Sequence, residues 1–213
     1  MADKPIIFSG PMVRALLEGR KTQTRRLLKL AGRSPEYVGP AGCQDDPVCW
    51  GWEMPDLGGY VTLEGDEKDH LPGWRNGWRD WNGAYAPGDR LYVREAWAPY
   101  DDGDCLYRAT VEDDTDYSLE DIAEIRWRPS IHMPRWASRL TLTVTDVRVQ
   151  RVRDISNEDA VAEGCTDGVF PWREFCDLWN SLHGPDAWVR NSWVVALTFT
   201  VAHGNINQIK EAA

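Results

Sequence analysis

The chain has 213 residues, 42% of them hydrophobic and 27% charged, with 12 Trp and a formal net charge of -10. That length and apolar content allow one domain with its own core and exclude a disordered chain. No apolar run approaches the roughly 18–20 residues needed to span a bilayer, and the opening MADKPIIFSG lacks a secretion-signal pattern, so a cytoplasmic protein is expected. Five Cys, at 43, 49, 105, 165 and 176, are an odd count that suits free thiols in a reducing compartment.

Pro5–Phe8 reads as a short buried strand stopped by Ser9-Gly10. Pro11 suits a first helical turn, Met12, Val13, Leu16 and Leu17 form its apolar face, and Gly19 is placed to end it. Thr22–Leu27 then reads as an extended exit. Residues 31–86 are rich in Gly, Pro, Asp and Trp without sustained periodicity, which predicts a long irregular insertion, with one short strand near residues 58–63. Pro87-Gly88-Asp89 is a turn into the alternating strand Arg90–Glu95, and Cys105–Ala109 is another strand. Leu140–Val149 has the clearest period of two in the chain. Ser156 caps a helix ended by Gly164, with Asp159 three residues on; Phe170–Leu182 is a second amphipathic helix. Trp193–Val201 closes the fold, and the end from residue 204 reads as a frayed tail. The order predicts one α+β domain over 1–203, a small, mostly antiparallel barrel with helices at its ends.

Charge is unevenly spread. Residues 14–33 carry seven Lys/Arg against Glu18 alone, and residues 126–153 carry seven Arg against Asp146 alone, while acids crowd the stretch between. Two basic segments inside an acidic chain can converge on an anion. Trp127, His132 and Trp136 lie among Arg126, Arg128, Arg135 and Arg139, the residue types that stack a base and hold its phosphate. Cys43 and Cys49, near Asp45, Asp46 and His70, have no usual zinc spacing, and no metal or cofactor is expected.

Gly19-Arg20-Lys21-Thr22-Gln23-Thr24-Arg25-Arg26, directly after the first helix, resembles the G-x-K-x-x-[E/T]-x-R signature of ASCH domains, small barrels with a PUA-like fold. Pro87–Glu95 resembles the P-G-D-x-L-x-V-R-E turn and strand of that family. The helix ending Ala162-Glu163-Gly164 and the strand Trp193–Phe199 resemble its acidic-ended helix and closing strand. Ile131–Arg139 is similar to a longer subgroup encoded by phages and prophages, often labelled morphogenetic proteins. The resemblance leaves out residues 31–86.

The resemblance implies action on RNA or modified bases. One branch of the family removes the acetyl group of N4-acetylcytidine with a Lys, a Thr and a Glu; Lys21, Thr24 and Glu163 stand at those positions. Amide hydrolysis needs a nucleophile, a base and an oxyanion partner. Thr24 would attack or hold the attacking water, and Lys21 would take the proton from a neutral amine state favoured by neighbouring cations. Arg20, Arg25, Arg26, Arg94, Trp127, His132, Arg135 and Trp136 would bind base or phosphate. Lys21 and Thr24 share a site only if Lys21 precedes the strand. The competing readings are a non-catalytic binder of RNA or modified bases, a single-strand ribonuclease, and a phage assembly or host-interaction protein using its acidic insertion. The expected partners are a nucleoside or nucleic acid, with no membrane.

Overall fold

The computed structural model describes residues 3–28, 36–40, 50–54, 59–62, 85–100, 103–113, 117–166 and 168–209. Four helices and ten strands are formed there. The strands are β1 (Asp3–Ile7), β2 (Gln23–Leu27), β3 (Glu36–Pro40), β4 (Trp50–Met54), β5 (Gly59–Thr62), β6 (Arg90–Arg94), β7 (Trp97–Pro99), β8 (Cys105–Tyr107), β9 (Leu140–Arg151) and β10 (Trp193–His203). The helices are α1 (Gly10–Leu17), α2 (Leu119–Glu124), α3 (Asn157–Ala162) and α4 (Pro171–His183).

The central sheet has five strands in the order β1-β6-β9-β10-β2. Three of its pairings are antiparallel, and β1 runs parallel to β6. The α+β class expected from the element order therefore holds. A closed barrel does not form among the described residues, because the edge strands β1 and β2 share no backbone ladder. A side chain spans that seam instead: Arg26 on β2 donates to the carbonyl of Ile7 at 2.8 Å, with its guanidinium 5.1 Å from the Phe8 ring centre.

β10 reads WVVALTFTVAH because it is buried on both faces over its first half. Trp193, Val195, Leu197 and Phe199 join Val13 and Leu16 of α1 and the inner residues of β6 and β9. Val194 points the other way, into a second cluster with Val152, Ala160 of α3 and Phe175 and Trp179 of α4. The alternation of a strand thus packs two helical layers on one sheet.

Residues 31–86 were expected to be irregular. Their described part instead forms a three-stranded antiparallel sheet, β3-β4-β5, in which β5 matches the one strand anticipated there. Cys43, Cys49 and His70 lie outside the described residues, as do Trp74, Trp78 and Trp81. The segment from residue 204 was expected to fray. Residues 204–209 are docked instead: Ile206 is buried, and the Asn205 side chain donates to the carbonyls of Arg135, Trp136 and Ser138. A polar sequence conceals this, because the two N–H bonds of one Asn amide are shared among three carbonyls of a neighbouring turn. No helix among the described residues is long and apolar enough to cross a membrane.

The turn and strand Pro87–Glu95 builds structure at each polar position. Asp89 is buried, accepts from the Ala86 amide at 3.0 Å and pairs with Lys4 at 2.9 Å. Arg90 pairs with Asp3 at 2.9 Å. Glu95 is 1% exposed and is gripped by both ends of the Arg139 guanidinium, at 2.9 and 3.0 Å. Burial pushes the Glu95 carboxyl above its ordinary range, and Arg139 opposes that. Removing Arg139 leaves a buried carboxylate without its partner. Arg139→Ala is expected to cost about 3 kcal/mol in urea unfolding, whereas Arg148→Ala, at a half-exposed pair, costs under about 1 kcal/mol.

Candidate functional site

The loop after α1 is fixed before any side chain is considered. Gly19 adopts φ +72°, and the amides of Arg20 and Lys21 both donate to the Ala15 carbonyl, at 2.9 and 3.0 Å. Thr22 is bound on both sides: its amide donates to Ala162 at the end of α3, and its carbonyl accepts from Phe199 of β10. β2 therefore begins at Gln23, and Lys21 is left in the loop before it. That is the condition under which Lys21 and Thr24 can share a site.

The incoming loop meets the end of α3. Ser156 caps this helix by accepting from the Asp159 amide at 3.1 Å, and Gly164 ends it at φ +97°. A β-carbon on Gly164 would stand 3.1 Å from that of Ala15 and 3.4 Å from that of Lys21. Glycine is required here both for the dihedral and for the close approach.

Lys21 is 1% exposed and Glu163 is 3% exposed. The Lys21 amine donates to the Glu163 carboxylate Oε2 at 2.7 Å and to its backbone carbonyl at 2.6 Å. Arg25 holds the other carboxylate oxygen at 3.0 Å and reaches Asp159 at 2.6 Å. Gln23 accepts from Arg25 at 2.6 Å and donates to Asp159 at 3.1 Å. The result is a buried chain of alternating charge, Lys21–Glu163–Arg25–Asp159, closed at the surface by Arg148 on Asp159 at 3.1 Å. Two cations and two anions balance, which is the condition for keeping such groups away from water. Burial pushes the Lys21 amine below its ordinary range, and the charge of Glu163 opposes that shift. Cys165 lies nearby, but burial pushes its thiol up to about 12, which removes it as a nucleophile.

A cavity of about 40 Å³ opens beside this chain. Lys21, Thr24, Arg25, Arg26 and Glu163 line it from one side, and Phe8, Phe175 and Trp179 supply apolar wall. β2 is an edge strand, so residues from both of its faces reach one space at its free edge. The space holds roughly two or three waters, far below the roughly 300–1000 Å³ of pockets that enclose a small ligand. Leu178, Leu182 and His183 of α4 narrow it further. Thr24 is buried, and its hydroxyl has no hydrogen-bond partner among the described residues. Lys21 is bonded to Glu163 rather than to Thr24. Two further donors are unpartnered and buried in residues of this lining, Arg25 Nε and Trp179 Nε1. A groove of about 510 Å³ shares Met12 with the cavity and is lined by Arg20, Val161, Gly164 and Cys165.

Lys21, Thr24, Glu163, Arg25 and Arg26 are thus brought together, with Arg20 at the adjacent groove, where it pairs with Glu18 and donates to the Gly164 carbonyl at 3.0 Å. The other expected binding residues do not line the cavity. Arg94 donates to the Met133 carbonyl at 2.7 Å, a bond that holds the turn between α2 and β9 against β6. Arg135 pairs with Asp3 and donates to Asn207 at 3.0 Å. Trp136 stands edge-on to Trp97 at 5.9 Å, His132 is exposed in its turn, and Trp127 lines a different cavity. The expected single cleft from both basic segments is therefore not formed. Within the second segment Arg135 and Arg139 pair with Asp3 and Glu95, Arg148 joins the Asp159 end of the Lys21 chain, and Arg126 and Arg128 stand at a different cavity.

Sequence reasoning missed Asp159, Gln23 and Trp179. Asp159 and Glu163 stand four apart on one helix face, and Gln23 and Arg25 two apart on one strand face, so the spacing was available. Reading Asp159 as a capping residue concealed it; its carboxylate is committed to Arg25 and Arg148 instead.

No protein-family model matches the sequence, and no curated protein matches it. Among solved structures, the chain is similar to protein EF3133 from Enterococcus faecalis V583, assigned to the family model DUF984. The identity is 11% and the TM-score 0.38, over 99% of this chain and 86% of that one.

Two outcomes follow from the packing of Lys21. Gly164→Ala is expected to cost about 2 kcal/mol of stability in urea unfolding. Because the folded state holds Lys21 below its ordinary 10.5, the unfolded chain binds more protons above the lowered value. The Lys21 contribution to stability therefore rises with pH up to about 10.5 and is lost as pH falls. The difference in unfolding free energy between wild type and Lys21→Met should shift in favour of wild type as pH is raised through that window.

Proposed function

We propose that this protein hydrolyses an N-acyl amide on a cytosine-type base, in a nucleoside or nucleic acid. The observation that carries the reading is the buried Lys21–Glu163 pair beside the Thr24 hydroxyl, which has no hydrogen-bond partner among the described residues, in one small cavity. The cavity has room for a water and a short acyl end but not for a ring. The ring therefore stays outside, and the groove shared through Met12 is the adjoining space large enough for it.

The chemistry is a balanced hydrolysis. Thr24 holds a water, and the neutral Lys21 amine takes one of its protons as the oxygen bonds the acyl carbon. The carbon–nitrogen bond then breaks, and Lys21 returns the proton to the leaving nitrogen. The products are the free amine and a carboxylic acid. In the resting protein Lys21 is the cation of its pair with Glu163. Burial lowers its hold on the proton while Glu163 opposes that, so the base is the fraction of Lys21 that has lost its proton, and that fraction grows with pH. Arg25 Nε–H is available to the carbonyl oxygen as it gains charge, and in an enclosed site such a donor is worth far more than in water.

The test is incubation with N4-acetylcytidine, following cytidine and acetate by chromatography. Equal release of both is expected, with a rate that rises with pH as Lys21 loses its proton. Thr24→Val keeps the side-chain shape and should lower the rate by about 100-fold or more at an unchanged melting temperature. Lys21→Met should also abolish turnover, but with a lowered melting temperature, because Glu163 loses its buried partner. No cytidine from wild type, or full turnover by Thr24→Val, removes the reading.

A further inference from the structure

A second cavity lies away from Lys21, over the hairpin of β7 and β8. It measures about 700 Å³, within the size range of small-ligand sites. Its position follows from local pairing: residues 126–128 run beside β7, with Arg128 and Trp97 exchanging backbone hydrogen bonds at 2.7 and 3.2 Å. Tyr100, Tyr117 and Trp127 bring aromatic surface to this cavity, and Arg126 and Arg128 bring charge. The Tyr100 and Tyr117 rings meet edge-on at 6.3 Å, and Tyr100 is 51% exposed. Neither Arg126 nor Arg128 has a carboxylate partner among the described residues; Arg128 lies 5.2 Å over the Trp97 ring. These two cations are therefore unlike Arg90, Arg135 and Arg139, which are committed to acids.

Asp121 also lines the cavity. Its Oδ2 is fixed by the Ser118 amide at 2.9 Å and hydroxyl at 2.6 Å, in the cap of α2. Those bonds hold the carboxyl below its ordinary range, so the group is an anion that only accepts hydrogen bonds. Its Oδ1 remains as an oriented acceptor. Aromatic faces, two guanidinium groups and one acceptor carboxylate make a defined demand. They fit a flat ring bearing an amino group and, at a distance, a phosphate.

We infer that this cavity binds a nucleotide whose base carries an exocyclic amino group. The base packs on Tyr100 and Trp127, its amino group donates to Asp121, and its phosphate meets Arg126 and Arg128. A uracil ring presents a carbonyl where the amino group would be, and that carbonyl faces the Asp121 carboxylate without a hydrogen. The inference does not rest on amide hydrolysis, since it shares no residue with the Lys21 cavity.

Calorimetric titration of the full chain with cytidine 5′-monophosphate tests it, with uridine 5′-monophosphate and cytidine as comparison ligands. The cytidine nucleotide should bind about tenfold tighter than either. Arg126→Ala with Arg128→Ala should erase the advantage over cytidine, and Tyr100→Ala should weaken all binding. These side chains are exposed, and an unchanged melting temperature checks the fold. Tetracytidylate distinguishes the two sources of the ligand. Binding tighter than that of the mononucleotide, with a steep salt dependence, assigns a strand of nucleic acid; equal binding assigns a free nucleotide. Equal affinity for the cytidine and uridine nucleotides overturns the inference. So does loss of binding in Thr24→Val at an unchanged melting temperature with Tyr100→Ala unaffected, which would place the nucleotide at the other cavity.

Discussion

The ion pair between Lys21 and Glu163 is the interaction on which the arrangement depends. Both side chains are withdrawn from water, and each would be costly to bury alone. Their pairing joins the loop after α1 to the end of α3, two segments more than 140 positions apart in the chain. The joint is made twice, since the Lys21 amine also holds the Glu163 carbonyl. Arg25 then fastens Glu163 to Asp159, so β2 is attached to α3 along its length. An edge strand that lacks a second backbone neighbour is thereby secured by side chains. The cavity lies at that edge, which no further strand covers among the described residues.

The same solution recurs across the sheet. Where β1 meets β6 and the chain end, Asp3, Asp89 and Glu95 are each met by a cation, and each pair joins distant segments. The acidic composition is thus not spread evenly over solvent. Part of it is consumed internally by Lys and Arg that composition alone would assign to an external anion. Several described Arg residues have no carboxylate partner, and two of them share a cavity. Arg126 and Arg128 stand beside aromatic rings rather than carboxylates.

Local elements were readable where the signal was local. The helix after Pro11, the left-handed Gly19, the period-two run of β9 and the Ser156 cap all follow from residues within a few positions of one another. The motif Arg20–Arg26 with Glu163 singled out Lys21 and Thr24, and these three residues line one cavity. Where the reading failed, a distant partner decided. Arg94 and Arg135 have the composition of phosphate ligands, yet each is taken by a group that the sequence places elsewhere, Met133 and Asp3. The strands β3 and β4 went unseen because Gly, Pro and Trp obscure a period of two.

Sequence by itself determined the class of the fold and the elements that bear strong periodicity. Tertiary structure alone decided that the sheet stays unpaired between its edges, that Lys21 bonds Glu163 instead of Thr24, and that the enclosed space admits waters rather than a ring. The reason is physical. Periodicity and capping act over a few residues, whereas burial, charge pairing and free volume are set by what the rest of the chain brings alongside.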